Sequence, residues 1–112
     1  MATIEQLAAF GADVKTGIGR CMGSEDFYLR MVGMIRNDRN FEALKKAVAE
    51  NDLTAAFEAA HALKGVLANL SLTPILDPVS EMTELLRART EMDYQPLLQK
   101  TEQEMEKLLA ML

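Results

Sequence analysis

The chain has 112 residues, a length that fits one domain with one packed core. Hydrophobic residues make up 49% and aromatics only 5%, and the abundance of alanine, leucine, methionine and glutamate suits helices. The net charge of −5, with basic residues scattered and only Lys45 and Lys46 adjacent, argues against nucleic acid as a partner, because a phosphate backbone needs concentrated lysine and arginine.

No stretch is apolar for long enough to span a bilayer, so no membrane insertion is expected. Glu5 and Asp13 stand where a secretion signal would carry basic and then apolar residues. Cys21 is the only cysteine, forms no internal disulfide and suits a reducing compartment. The expectation is a cytoplasmic protein in which residues 1–112 form a single domain.

In chain order, Thr3 followed by Gln6 is a capping-box pattern, which predicts a short helix from Ile4 to Gly11. Asp13 caps a second short helix that frays among Gly17, Gly19 and Gly23, and Gly17 to Gly23 is read as a loop. Its glycines resemble a nucleotide-binding loop, but the last spacing is one residue too long and no strand precedes it. Ser24 caps a helix in which Phe27, Tyr28, Met31, Val32 and Ile35 follow helical spacing. Asn37 to Asn40 interrupts the phase, and Phe41, Leu44 and Val48 resume it to about Glu50.

Asp52 is the expected N-cap of the central helix, where Ala56, Ala60, Leu63, Leu67 and Leu70 form one narrow apolar stripe. After a tight connection at Ser71 to Thr73, Thr73 can cap a helix with Pro74 at its first position. Pro78 leaves two options: the helix starts there with Asp77 as cap, or it carries a kink. Val79, Met82 and Leu86 give it an inner face, and it stops near Arg89. Tyr94, Leu97, Leu98, Met105, Leu108 and Leu112 line the last helix, with Glu102, Glu104, Glu106 and Lys107 on its solvated side. Cys21 and most of the eight methionines read as core filler. The fold class is all-α: an antiparallel four-helix bundle with one or two short extra helices at the N-terminus.

The central helix holds the one histidine of the chain, in the run His61-Ala62-Leu63-Lys64-Gly65. At about 100° per residue, His61 lies roughly 130° from the centre of the buried stripe. Gly65 sits one turn on, where a glycine costs about 1 kcal/mol relative to alanine, and leaves the imidazole uncovered on that side. Lys64 brings a cation to the same face, which also holds Thr54, Phe57, Glu58, Ala68 and Leu72. A lone helical histidine is usually a core residue or an ordinary surface residue. The wheel opposes the first, and the second leaves Gly65 and Phe57 without a reason.

An imidazole has an unperturbed pKa near 6.5 and is mostly neutral at pH 7, so a ring nitrogen can accept a phosphoryl group. Lys64 can then supply charge to the anionic oxygens, and Gly65 leaves room for them. One imidazole with only Glu58 nearby is too few ligands for a metal, and none of Ser24, Ser71 or Ser80 lies in a nucleophile-elbow context.

These residues resemble the histidine-containing phosphotransfer (HPt) family of bacterial two-component phosphorelays. Its hallmark is a histidine, any residue, a leucine-like residue, a lysine and a glycine, here His61 to Gly65, often running on to asparagine, leucine and glycine, here Asn69, Leu70 and Ser71. The resemblance implies that His61 accepts a phosphoryl group from an aspartate on the receiver domain of a hybrid sensor kinase and passes it to a response-regulator aspartate. It implies electrostatic assistance by Lys64, steric access at Gly65, and docking of receivers on Thr54, Phe57, Glu58, Ala68 and Leu72. It implies no cofactor on this chain, magnesium on the partner receiver only, no kinase or phosphatase activity of its own, and a monomer. The alternative is a non-catalytic helical module that docks a receiver or another partner.

Overall fold

Helical periodicity runs through the whole chain. The computed structural model describes residues 1–112 and contains seven α-helices, one 3-10 turn and no strand. Helices α1 (Ile4–Phe10), α2 (Val14–Arg20) and α3 (Glu25–Gly33) precede the 3-10 turn Met34–Asn37; α4 (Asn40–Ala49), α5 (Leu53–Asn69), α6 (Thr73–Arg87) and α7 (Gln95–Met111) follow.

The helix starts are set by short polar side chains that satisfy backbone donors lacking an intrahelical partner. Thr3 and Gln6 form the capping box, with hydrogen bonds of 3.1 and 2.9 Å. Asp13, Ser24 and Asp52 accept from the N–H groups of Thr16, Phe27 and Ala55. The ends share one device. Gly11, Met22, Asn51, Ser71 and Arg89 take left-handed conformations, and the N–H of the residue after each returns to a carbonyl five positions back. That closure is the Schellman motif.

Successive helices from α4 onward pack on one another, and the connections after α4 and α5 are three residues each, which folds α5 back on α4 and α6 back on α5. Lys45 on α4 reaches Glu102 on α7 at 3.3 Å across the closing seam. The core comprises 25 buried apolar residues, with Leu44, Ala56, Ala60, Leu63, Leu67, Val79, Met82 and Leu108 sealed completely. The N-terminal helices are pinned at one end. Tyr28 donates to the Leu70 carbonyl at 2.8 Å in a buried bond, and burial, with Cys21 next, pushes its phenol up to about 12. Cys21 is buried, as expected of core filler.

Several expectations need correction. Gly17 to Arg20 is helix, not loop, and Gly17 is buried because the Tyr28 ring lies against it. α6 neither starts at Pro78 nor is capped by Thr73: Leu72 holds the cap position without a side-chain bond, Thr73 opens the helix, and Pro78 is buried inside it. Leu72 is fully buried, so it belongs to the core and not to the exposed face of His61. The wheel fails there because α5 ends at Asn69, Ser71 (φ 53°) reverses the chain, and the Leu72 N–H closes on the Leu67 carbonyl. Glu104 is 6% exposed rather than solvated; α1 packs along α7, and Lys107 and Lys100 hold the Glu104 carboxylate at 3.0 and 3.1 Å. Lys107 first, then Lys100, keep its carboxyl below the usual range against the opposing effect of burial. Of the methionines, only Met82 and Met105 are buried, whereas Met1, Met22, Met34 and Met92 are exposed.

α2 yields a prediction of opposite signs two residues apart. A Cβ at Gly17 would overlap the Tyr28 ring and stand 3.0 Å from the Leu70 carbonyl oxygen, while one at Gly19 would meet nothing within 4 Å. Gly17→Ala should lower stability by about 1–3 kcal/mol, and Gly19→Ala should raise it by about 0.5–1 kcal/mol. Urea midpoints of the two variants against the parent check both signs.

Candidate functional site

The exposed side of α5 carries the site. Its other side buries Ala56, Ala59, Ala60, Leu63 and Leu67, and this burial turns His61 outward. The imidazole makes no hydrogen bond within the chain, and it stacks on Phe57, one turn earlier, with ring centroids 5.6 Å apart and planes 18° from parallel. A stacked i, i+4 pair of this kind fixes the ring's direction without occupying its nitrogens. On the other side of His61 lies Gly65, where a Cβ would meet nothing within 4 Å. No structural demand of the fold requires a glycine there.

Thr54 and Glu58 are exposed, and Phe57 and Ala68 are half-buried, so these four residues share the face with His61, while Leu72 does not. Lys64 is turned toward α6, where its ammonium pairs with Glu84 at 3.5 Å. Glu84 also takes Arg87 at 3.3 Å, and these two cations, Arg87 foremost, hold its carboxyl below the usual range. The Arg87 guanidinium lies 5.0 Å from the centre of the Phe57 ring. Arg89, held in the left-handed turn after α6, donates to Thr54 Oγ1 at 3.1 Å. At the far end, Arg20 of α2 donates to the Ala68 carbonyl.

A chain of net charge −5 therefore rims its one histidine with Lys64, Arg20, Arg87 and Arg89. The three arginines and Glu84 escaped the reading of the sequence. They come from α2, α6 and the turn after α6, and only the spacing of Glu84 and Arg87 at i, i+3 hinted that they act together. No three His, Cys, Asp or Glu side chains gather at a spacing that would hold a metal ion. No helix is long and apolar enough to cross a membrane.

No curated protein and no solved structure matches the chain. The family model of the Hpt domain matches residues 35–111, from the 3-10 turn through α7, a span that includes His61, Lys64 and Gly65. On a match covering more than half of its length, this chain belongs to the Hpt domain family, phosphotransfer intermediates of two-component signalling that interact with receiver domains.

Proposed function

We propose that His61 is the phosphoryl-accepting residue of a phosphorelay, taking the group from an aspartate on the receiver of a hybrid sensor kinase and handing it to a response-regulator aspartate. One observation carries this reading: the chain's only imidazole is exposed, free of internal hydrogen bonds, and has open space at Gly65 beside it.

The transfer is a displacement at phosphorus. A lone pair on a neutral ring nitrogen forms the N–P bond while the P–O bond of the aspartyl phosphate breaks; the aspartate leaves as a carboxylate, and the second ring nitrogen keeps its proton. In the reverse sense the same steps deliver the group onward. Lys64 assists electrostatically as charge gathers on the phosphoryl oxygens. Gly65 gives the receiver's reacting edge access to the imidazole, and Phe57 holds the ring in line.

The half-buried Phe57 and Ala68, with Thr54 and Glu58, form the docking surface for the receiver, and the arginine rim suits a partner whose reacting group is an anionic acyl phosphate. Magnesium is assigned to the receiver, with no cofactor on this chain. The chain acts as a single domain and a monomer in the cytoplasm, and it relays phosphoryl groups without making or hydrolysing them itself.

His61→Gln should lose all labelling by a phosphorylated receiver while retaining the helical circular-dichroism spectrum, because an exposed side chain with no internal hydrogen bond contributes little to the fold. Intact mass after incubation reads the result: one added phosphoryl group on the parent and none on the variant. A complex that forms without added mass on the parent would favour docking without chemistry. Gly65→Ala should stabilise the fold by about 1 kcal/mol, since helix propensity improves and no atom is in the way. Gly65→Leu should also unfold at higher urea than the parent yet transfer more than tenfold more slowly, the cost of about 1.4 kcal/mol in barrier for each factor of ten. Equal transfer rates for the two glycine variants and the parent would remove the access argument.

A further inference from the structure

Lys64, the cation nearest in sequence to His61, already has a partner: its ammonium pairs with Glu84 at 3.5 Å, and the other oxygen of that carboxylate holds Arg87 at 3.3 Å. Arg87 in turn lies over Phe57, the ring stacked on His61. Two cations at the edge of the site therefore share one anion. We propose that Glu84 is a positioning residue that competes with the phosphoryl group for Lys64 and Arg87, and so sets how firmly phosphorylated His61 retains its load; this rests on His61 being the acceptor.

Three features of the cluster favour this role. The pair is loose: Glu84 and Arg87 are more than half exposed and Lys64 is 34% exposed, and ion pairs in such settings are weak and readily exchanged. Lys64 can therefore exchange the exposed Glu84 carboxylate for an incoming dianion. Glu84 belongs to α6, which is packed against α5, so its position relative to His61 is fixed by the core and not by a mobile loop. Both carboxylate oxygens are committed, one to each cation, so a phosphoryl group of two negative charges meets two cations already half-neutralised. A relay intermediate must both take and give. If both cations were free, the phosphohistidine would gain stability and the onward step would slow. A resident carboxylate offers the cations an alternative at every transfer and keeps the two directions near balance.

The test uses the full chain and a receiver domain charged with acetyl phosphate. Glu84→Gln preserves shape and removes the charge. It should shift the equilibrium between phosphoreceiver and phosphohistidine toward His61 by about two- to fivefold, and lengthen the phosphohistidine lifetime after receiver removal by a similar factor. Both effects should fade at about 1 M salt. Glu84→Asp should behave nearer to the parent, and Glu84→Gln should have no effect in a chain that also carries Lys64→Ala and Arg87→Ala. A purely structural role for Glu84 would not produce that salt dependence or that loss of effect. Parent-like partition and lifetime in Glu84→Gln, or a shift toward the receiver, would overturn the proposal. An unlabelled parent would overturn the assignment of His61 and this inference with it.

Discussion

α5 is enclosed on two sides, by α4 and by α6, and its alanines at 56, 59 and 60 let those helices approach closely. Leu63 and Leu67 then fill the interior with no exposed surface. Turning the helix far enough to bury His61 would bring these leucines toward water at about 1.5–3 kcal/mol each. The contacts on the His61 side offer nothing comparable: an exposed ion pair such as Lys64 with Glu84 contributes at most about 1 kcal/mol, and one aromatic stack adds about as much. The orientation of His61 is therefore decided by the opposite face of its own helix. The site is what remains outside once the core has formed.

The same reasoning shows why so much was legible in the sequence. Buried stripes recur with helical period, and N-caps are single short polar residues with a fixed offset to their acceptors. Thr3, Asp13, Ser24 and Asp52 were read correctly because a cap needs only the next three residues. His61, its distance from the stripe and the absence of a side chain at Gly65 are likewise facts about one helix. The Asn37 to Asn40 interruption was visible because the apolar phase slips there, and the chain does leave the helix at Asp38.

Helix ends were harder. The left-handed closing residue is commonly glycine, yet only α1 closes on one, whereas Met22, Asn51, Ser71 and Arg89 do the same work elsewhere. A non-glycine residue in that conformation is strained by roughly 1–2 kcal/mol, and it persists because the next residue has its own reason to stay. For Ser71 that reason is Leu72, fully buried once the chain has reversed. Extending the α5 wheel to Leu72 failed for this reason, since the periodicity that places His61 stops at Asn69, three residues earlier. Pro78 misled differently. It lacks the N–H that would meet the Pro74 carbonyl, but its buried ring contributes packing, and α6 runs through it.

What could not be read were contacts between elements distant in sequence. Glu104 looks like any other helix-surface charge until α1 is laid along α7, and the arginines around His61 arrive from α2, α6 and the turn after α6. The division of labour in the molecule follows from this difference. The rigid part, the α5 stripe and its neighbours, is written in local periodicity and positions one imidazole. The adjustable part is built from long exposed side chains whose interactions are individually weak: Lys64 and Arg87 on a shared carboxylate, and Arg89 on a threonine hydroxyl. Weakness is what the proposed transfer site requires of them, because a cation bound tightly in the resting chain would have to be released again each time a phosphoryl group came or went. Strength in the core and looseness at the rim are thus compatible demands on α5: the first acts through its buried arc, the second through residues that touch only its edge.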